Sequence, residues 1–211
     1  MTRLEQETTH VTAVLLAAGL STRMGESKAL LPWGHGTLLE YQIEELQTAG
    51  AAEIVVVLGA HADQLQFQLP ARKHVRAVVN PDFAQGKTTS IKTGVRAASP
   101  ETAHFLIIGV DQPRPRSVIQ AIILHHVRSQ ASMTIPAYQG QRGHPLLFRA
   151  DLRQELLSVH EETLGLRELV IRREREVSVF ETGSPTVLVD LNTPEQYAAA
   201  RAQFWPERDR V

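Results

Sequence analysis

Two glycines, an arginine and a lysine crowd into the segment that follows the first apolar run of the chain, LLAAGLSTRMGESKALLPWG at residues 15–34. Gly19 and Gly25 let backbone N–H groups approach a ligand closely, Arg23 offers a planar fork of donors, and Lys28 offers a point charge. Together they describe a loop suited to holding phosphate oxygens. The spacing excludes two familiar forms of such a loop. A dinucleotide fingerprint needs GxGxxG, whereas Gly19 and Gly25 are six apart; the Walker pattern needs Lys after its second glycine, where Glu26 stands. GKT at 86–88 has the right tail, but position 81 is proline where that pattern needs glycine.

A carboxylate is the natural companion of a phosphate-holding loop, because Mg²⁺ takes hard oxygen ligands and bridges to phosphates. Asp111 ends the apolar run FLIIGVD and is a candidate ligand, with capping of the next helix as its alternative use. Asp190, in VLVDLNTPEQY, is a second candidate, with a turn hydrogen bond as its alternative. The loop NPDFAQGKTTS supplies Asn80, Gln85, Gly86, Thr89 and Ser90, polar groups suited to a base or ribose, whereas Lys87 and Lys92 read as solvated. His144, between Gly143 and Pro145, is either a ligand-facing group or a structural hydrogen bonder; His125 and His126 read as surface residues of a helix. No spacing among the nine histidines suggests zinc, and no GxSxG or convincing Ser-His-Asp set is present.

The elements that must carry these groups alternate in type. Short, continuously apolar runs at 12–18, 53–59, 75–80, 104–111 and 131–138 read as buried parallel strands. Amphipathic stretches at 37–50, 87–99 and 116–129 read as helices; Leu39, Ile43 and Leu46 share a face of the first, and Val118, Ile119, Ile122, Ile123 and Val127 a face of the third. This order predicts an α/β fold, Rossmann-like and doubly wound, with right-handed crossovers and a mostly parallel sheet. Ligands bind beyond the carboxyl ends of such strands, which is where the four loops lie. The second half is less regular: 145–150 reads as a strand, 151–158 as a helix, and 175–181 and 185–191 as strands forming an antiparallel extension. Thr193, Pro194 and Gln196 form a strong helix start, and residues 205–211 read as a loose tail.

The 211 residues suit a single domain with its core at about 12–204. Lys plus Arg is 22 against 23 Asp plus Glu, a balance that points away from nucleic acid and membrane surfaces. With no cysteine, a thiolate metal site and a cysteine nucleophile are excluded. No apolar run approaches the length of a membrane span, and the polar first ten residues lack the core of a signal peptide, which predicts a cytoplasmic protein.

LAAGLSTRMGESK resembles the signature LAAGxSxRMGxxK of the nucleotidyltransferases of molybdenum cofactor biosynthesis. GVDQP at 109–113, GKTTSIKTG at 86–94, RGHPLLF at 142–148 and VDLNTPEQY at 189–197 resemble that family's further segments, in the same order. The resemblance implies the nucleotide-diphospho-sugar transferase type of fold, and transfer of a nucleoside monophosphate to an acceptor phosphate with release of pyrophosphate. The LAAG form, with Ala18 where a second glycine often stands, is similar to the cytidylyltransferase branch, favouring CTP over GTP and a molybdopterin-type acceptor. It implies that Leu16, Ala17, Ala18 and Gly19, with Arg23 and Lys28, bind the nucleotide together with Asn80, Gly86 and Ser90. Asp111 and Asp190 would hold Mg²⁺, while Arg142 and His144 face the acceptor. Three departures stand out: Glu26-Ser27 before Lys28, VDQP for GDMP, and Asn192 and Gln196 where the closing segment often has carboxylates. The same chemistry with GTP or a sugar or polyol phosphate is one alternative. A non-catalytic nucleotide-binding chaperone in transient contact with a molybdenum enzyme is another. The missing GxGxxG disfavours a nicotinamide oxidoreductase.

Overall fold

The computed structural model describes residues 10–21, 24–25, 27–69 and 74–204. Arg23 and the tail at 205–211 lie outside the described residues. The strands, in chain order, are β1 (Val11–Ala17), β2 (Pro32–Trp33), β3 (Gly36–Thr37), β4 (Glu53–Leu58), β5 (Val75–Val79), β6 (His104–Gly109), β7 (Met133–Tyr138), β8 (Gln141–Arg142), β9 (Leu146–Arg149) and β10 (Val177–Glu181). The helices are α1 (Leu38–Thr48), α2 (Ala62–Gln68), α3 (Lys87–Ala97), α4 (Arg116–Ser129), α5 (Arg153–Leu157), α6 (Leu166–Arg172) and α7 (Pro194–Phe204).

The main sheet has the order β10-β7-β9-β6-β1-β4-β5, with β8 paired to β7 and β2-β3 forming a separate ribbon. β1 lies at its centre, parallel to both β4 and β6. All seven of its residues are buried, as two covered faces require. Ala13, Leu15 and Ala17 face a core beneath α1 and α4, whereas Val14 and Leu16 face a second core beneath α3. The doubly wound, mostly parallel architecture expected from the sequence is therefore present.

Three local expectations change. The antiparallel strands of this sheet are β9, inserted between β6 and β7, and the short β8 beside β7, while β10 runs parallel to β7. Residues 185–191 do not form a strand: Pro185 opens a 3₁₀ turn to Leu188, and the Ser184 hydroxyl accepts the Thr186 N–H. The carbonyls of Val187 and Val189 are taken by a buried arginine instead of a neighbouring strand. His126 is not a surface residue; it is 1% exposed, with Nδ1 2.8 Å from Thr134 Oγ1. His125 stacks on Phe180 and meets Ser178 Oγ at 2.8 Å.

The last helix starts as its sequence dictates. Gln196 N–H donates to Thr193 Oγ1, and Thr193 N–H to Gln196 Oε1, a reciprocal capping box. Its far end packs through Phe204 against Trp33, with ring centroids 5.2 Å apart. The Tyr197 hydroxyl donates to the Pro32 carbonyl. Thus the C-terminal helix is fastened to the ribbon that follows the glycine loop.

Candidate active site

A cavity of about 390 Å³ opens at the carboxyl ends of β1 and β6. Its walls include Leu16, Ala17, Ala18 and Gly19 from the end of β1, Lys28 from the loop beyond, Gly86 and Ser90 at the start of α3, and Asp111 after β6. These eight expected residues come from four separate segments, and the parallel sheet gathers them at one edge. Ser21, Ser27, Phe83, Lys87 and Asn192 line the same cavity; the first four lie in loops expected at the site but were not singled out as ligand groups, and Asn192 was noted only as a departure. Lys87 is thus a wall residue, not simply a solvated one; its place as the first residue of a helix entered from Gly86 was the available signal.

Lys28 Nζ lies 2.9 Å from Asp111 Oδ2 and donates to Asn192 Oδ1 at 2.9 Å. The two side chains of the ion pair are only 13% and 27% exposed. The backbone around them is braced. Lys28 N–H donates to Ser21 Oγ at 3.0 Å, holding the loop closed on itself. Gln42, fully buried on α1, donates Nε2 to the Gly109 and Gln112 carbonyls at 3.1 and 2.9 Å. Gln112 Oε1 accepts the Gly109 N–H at 2.9 Å. Gly109 has no side chain for a steric reason: a Cβ there would stand 2.4 Å from Asp111 Oδ1. Asp111 does not cap α4, whose N-cap is Pro115.

The other expected residues sit differently. Asn80, 1% exposed, is absent from the cavity wall; its Nδ2 donates to Ser90 Oγ and Thr89 Oγ1 and so orients the first turn of α3. Asp190 also stands back, its Oδ1 accepting from Gln112 Nε2 at 2.8 Å. Arg142, on β8, is ion-paired with Glu174. His144 precedes β9 and reaches this edge of the sheet because that strand runs backwards. Burial, with the charges of Lys87 and Arg114, pushes its imidazole down to about 4 against the pull of Asp190 and Asp111, so it is neutral at pH 7.

Arg114, fully buried, is the connector that sequence reading missed. Its guanidinium donates to the carbonyls of Pro113, His144, Val187 and Val189 at 2.8–3.0 Å. One side chain therefore ties the Asp111 loop to the His144 turn and to the segment leading to Asp190. Burial lowers its pKa to about 10, which leaves it charged.

A strand-end glycine loop, a lysine-paired aspartate and a helix N-terminus around one cavity are groups chemically able to receive phosphate oxygens. A family model for the MobA-like NTP transferase domain matches residues 13–177. The chain belongs to this family of nucleotidyltransferases. It is 28% identical over 195 residues to a molybdenum cofactor cytidylyltransferase from Escherichia coli, covering 92% of this chain and 97% of that protein. Molybdenum cofactor guanylyltransferases are also among its relatives. It is 32% identical to a nicotine blue oxidoreductase from Paenarthrobacter nicotinovorans, covering 88% of this chain and 94% of that protein. A nucleotidyl transferase from Methanothermobacter superimposes with a TM-score of 0.78 at 26% identity, covering 92% and 97% of the two chains. The fold is that of the nucleotide-diphospho-sugar transferases.

Proposed function

We propose that this nucleotidyltransferase moves the cytidylyl group of CTP onto the phosphate of a molybdopterin-type acceptor and releases pyrophosphate. The observation that carries the reading is the Lys28–Asp111 pair at the mouth of a cavity walled by Leu16–Gly19 and the start of α3. An acceptor phosphate is already ionised at neutral pH, so the site has to position reactants and neutralise charge. Backbone N–H groups at Ala18 and Gly19, with Arg23, Lys28 and Lys87, hold the triphosphate. Ala18, a wall residue of the cavity, stands where the guanylyltransferase branch often has glycine, which supports CTP over GTP. Ser90, oriented by Asn80, meets the nucleoside, and neutral His144 with Arg142 faces the acceptor.

The chemistry of the donors fits a divalent cation, Mg²⁺ in this reading: the Asp111 carboxylate already receives a cationic group at 2.9 Å, and a lysine ammonium stands in for the metal there. Asp111 would hold the metal, and the charge it supplies would offset that of the phosphates. The likeness to a nicotine blue oxidoreductase favours a second reading, a redox catalyst.

The deciding experiment incubates the protein and Mg²⁺ with CTP, GTP, UTP or ATP, with and without molybdopterin, and measures pyrophosphate. Acceptor-dependent release from CTP, lost in Asp111→Ala, supports transfer. Release from none of the four, together with bleaching of nicotine blue by an added hydride donor, supports the redox reading.

A further inference from the structure

Resting on the nucleotidyltransferase reading, we infer that Phe83 is the platform on which the base of the bound nucleotide stacks, giving affinity for any base without choosing among them. It is the one aromatic ring among the described residues that line the cavity. It is half-buried and belongs to neither of the two cores. A ring left partly in water at a cavity wall gains by covering its face with another flat, apolar surface.

The order of the sheet gives the cavity two unlike ends. Asp111, paired with Lys28, follows β6, whereas Phe83 lies in the turn after β5; β1 and β4 stand between those two strands. Of the described wall residues that follow β5, Lys87 is the only charged one, beside Phe83, Gly86 and Ser90. A nucleoside triphosphate has the same polarity, with an anionic tail and an aromatic head. Once Lys28 draws the tail towards β6, the head falls on the side that carries the ring.

The ring is placed before any ligand arrives. Gly59, the residue after β4, makes the room: a Cβ there would stand 2.7 Å from Phe83 Cβ, 2.8 Å from Ala18 Cβ and 2.7 Å from the Ala18 carbonyl oxygen. The lack of that one carbon lets the Phe83 turn close on Ala18, another wall residue. The turn is tied on both sides of the ring. Asp82 N–H donates to Asn80 Oδ1 at 3.0 Å, Gln85 Nε2 to Asp82 Oδ1 at 2.9 Å, and Thr89 Oγ1 to the Asp82 carbonyl at 3.0 Å. A platform fixed in advance loses little freedom on binding. A phenyl ring has no donor or acceptor, so it meets the π-face that every base presents and not the pattern along its edge. The choice between CTP and GTP therefore rests on other wall groups.

Isothermal titration calorimetry on the full chain, with Mg²⁺ and CTP, GTP or inorganic tripolyphosphate, tests this. Each variant is first checked for a wild-type circular dichroism spectrum. Phe83→Leu, which keeps apolar bulk but has no π-face, and Phe83→Ala are expected to weaken CTP and GTP about tenfold, by the same factor for both. Tripolyphosphate, which has no base, stays within about twofold, and Phe83→Tyr keeps the affinity for both nucleotides. Unchanged nucleotide binding in Phe83→Leu overturns the stacking role. An equal loss for tripolyphosphate also overturns it, because the ring would then be shaping the phosphate loop. A shift in the ratio of CTP to GTP affinity overturns the claim that the ring does not choose. Failure of the transferase reading looks different: nucleotides then bind through Phe83, yet the wild type releases no pyrophosphate with any acceptor.

Discussion

Replacing Arg114 by methionine removes the clasp under the site while keeping most of the side-chain volume. The guanidinium makes four hydrogen bonds of 2.8–3.0 Å, all to main-chain carbonyls. Val187 keeps a second donor, because its carbonyl also accepts the His144 N–H at 3.0 Å. The carbonyls of Pro113, His144 and Val189 lose their guanidinium bonds, at about 1–2 kcal/mol each for acceptors left in a dry interior. Relief from burying a charge offsets part of that loss, so the net destabilisation is about 3–5 kcal/mol. In a chain of this size each kcal/mol moves Tm by roughly 2–4 °C, which places the variant about 10 °C below the wild type. Differential scanning calorimetry and urea unfolding measure it directly. Arg114→Lys, which keeps a charge but has no planar fork, falls between the two proteins. A change below about 1 kcal/mol for Arg114→Met would refute the reasoning, because it would mean that the three segments hold their places without the guanidinium.

Other consequences can be measured independently. Gly94→Ala puts a Cβ 2.3 Å from Val14 Cγ1 and 2.9 Å from Val57 Cγ2, lifting α3 from the sheet; the expected cost is about 1–3 kcal/mol by urea unfolding, and wild-type stability would show that α3 shifts freely. Burial, reinforced by the charges of His104, His125 and Arg149, pushes the His126 imidazole down to about 3. The unfolded chain therefore takes up a proton that the folded one refuses, so stability present above pH 6.5 is lost as pH falls towards 3, by roughly 2 kcal/mol between pH 7 and 5. His126→Gln flattens that acid limb in urea titrations, and an unchanged slope rejects the assignment. Thr37→Ala breaks the capping box with Glu40 and lowers stability by about 1 kcal/mol, read as an unfolding midpoint shift at constant m-value.

What the sequence made legible follows from local physics. Apolar runs at 12–18, 53–59 and 104–111 gave the central strands, since a strand covered on both faces has no reason to alternate. Strand ends then placed Gly19, Lys28 and Asp111 together with no alignment. Residues 185–191 misled because their β-branched run satisfies strand propensity, while Ser184, Pro185 and Arg114 decide the backbone through contacts that propensity does not contain. Arg114 was passed over because charged side chains are seldom fully buried, and only the fold reveals that four carbonyls surround it. His126 was misassigned for the same reason: its partner, Thr134, lies on the next strand. Asn192 was noticed as a missing carboxylate; its aim at Lys28 needed coordinates.

The reversed strand β9 has a consequence for how the sheet can be divided. It joins two bodies of sheet, one carrying the glycine loop and Asp111, the other carrying β7, β8 and β10, by only four residues. Mutations on the far side of that seam leave the backbone hydrogen bonds of β1, β4 and β5 untouched. Relatives that align over nearly their whole length carry names as different as cytidylyltransferase and oxidoreductase, so one fold serves different chemistries. Chimeras joined within residues 143–149 would show whether the two sides of β9 can be exchanged separately.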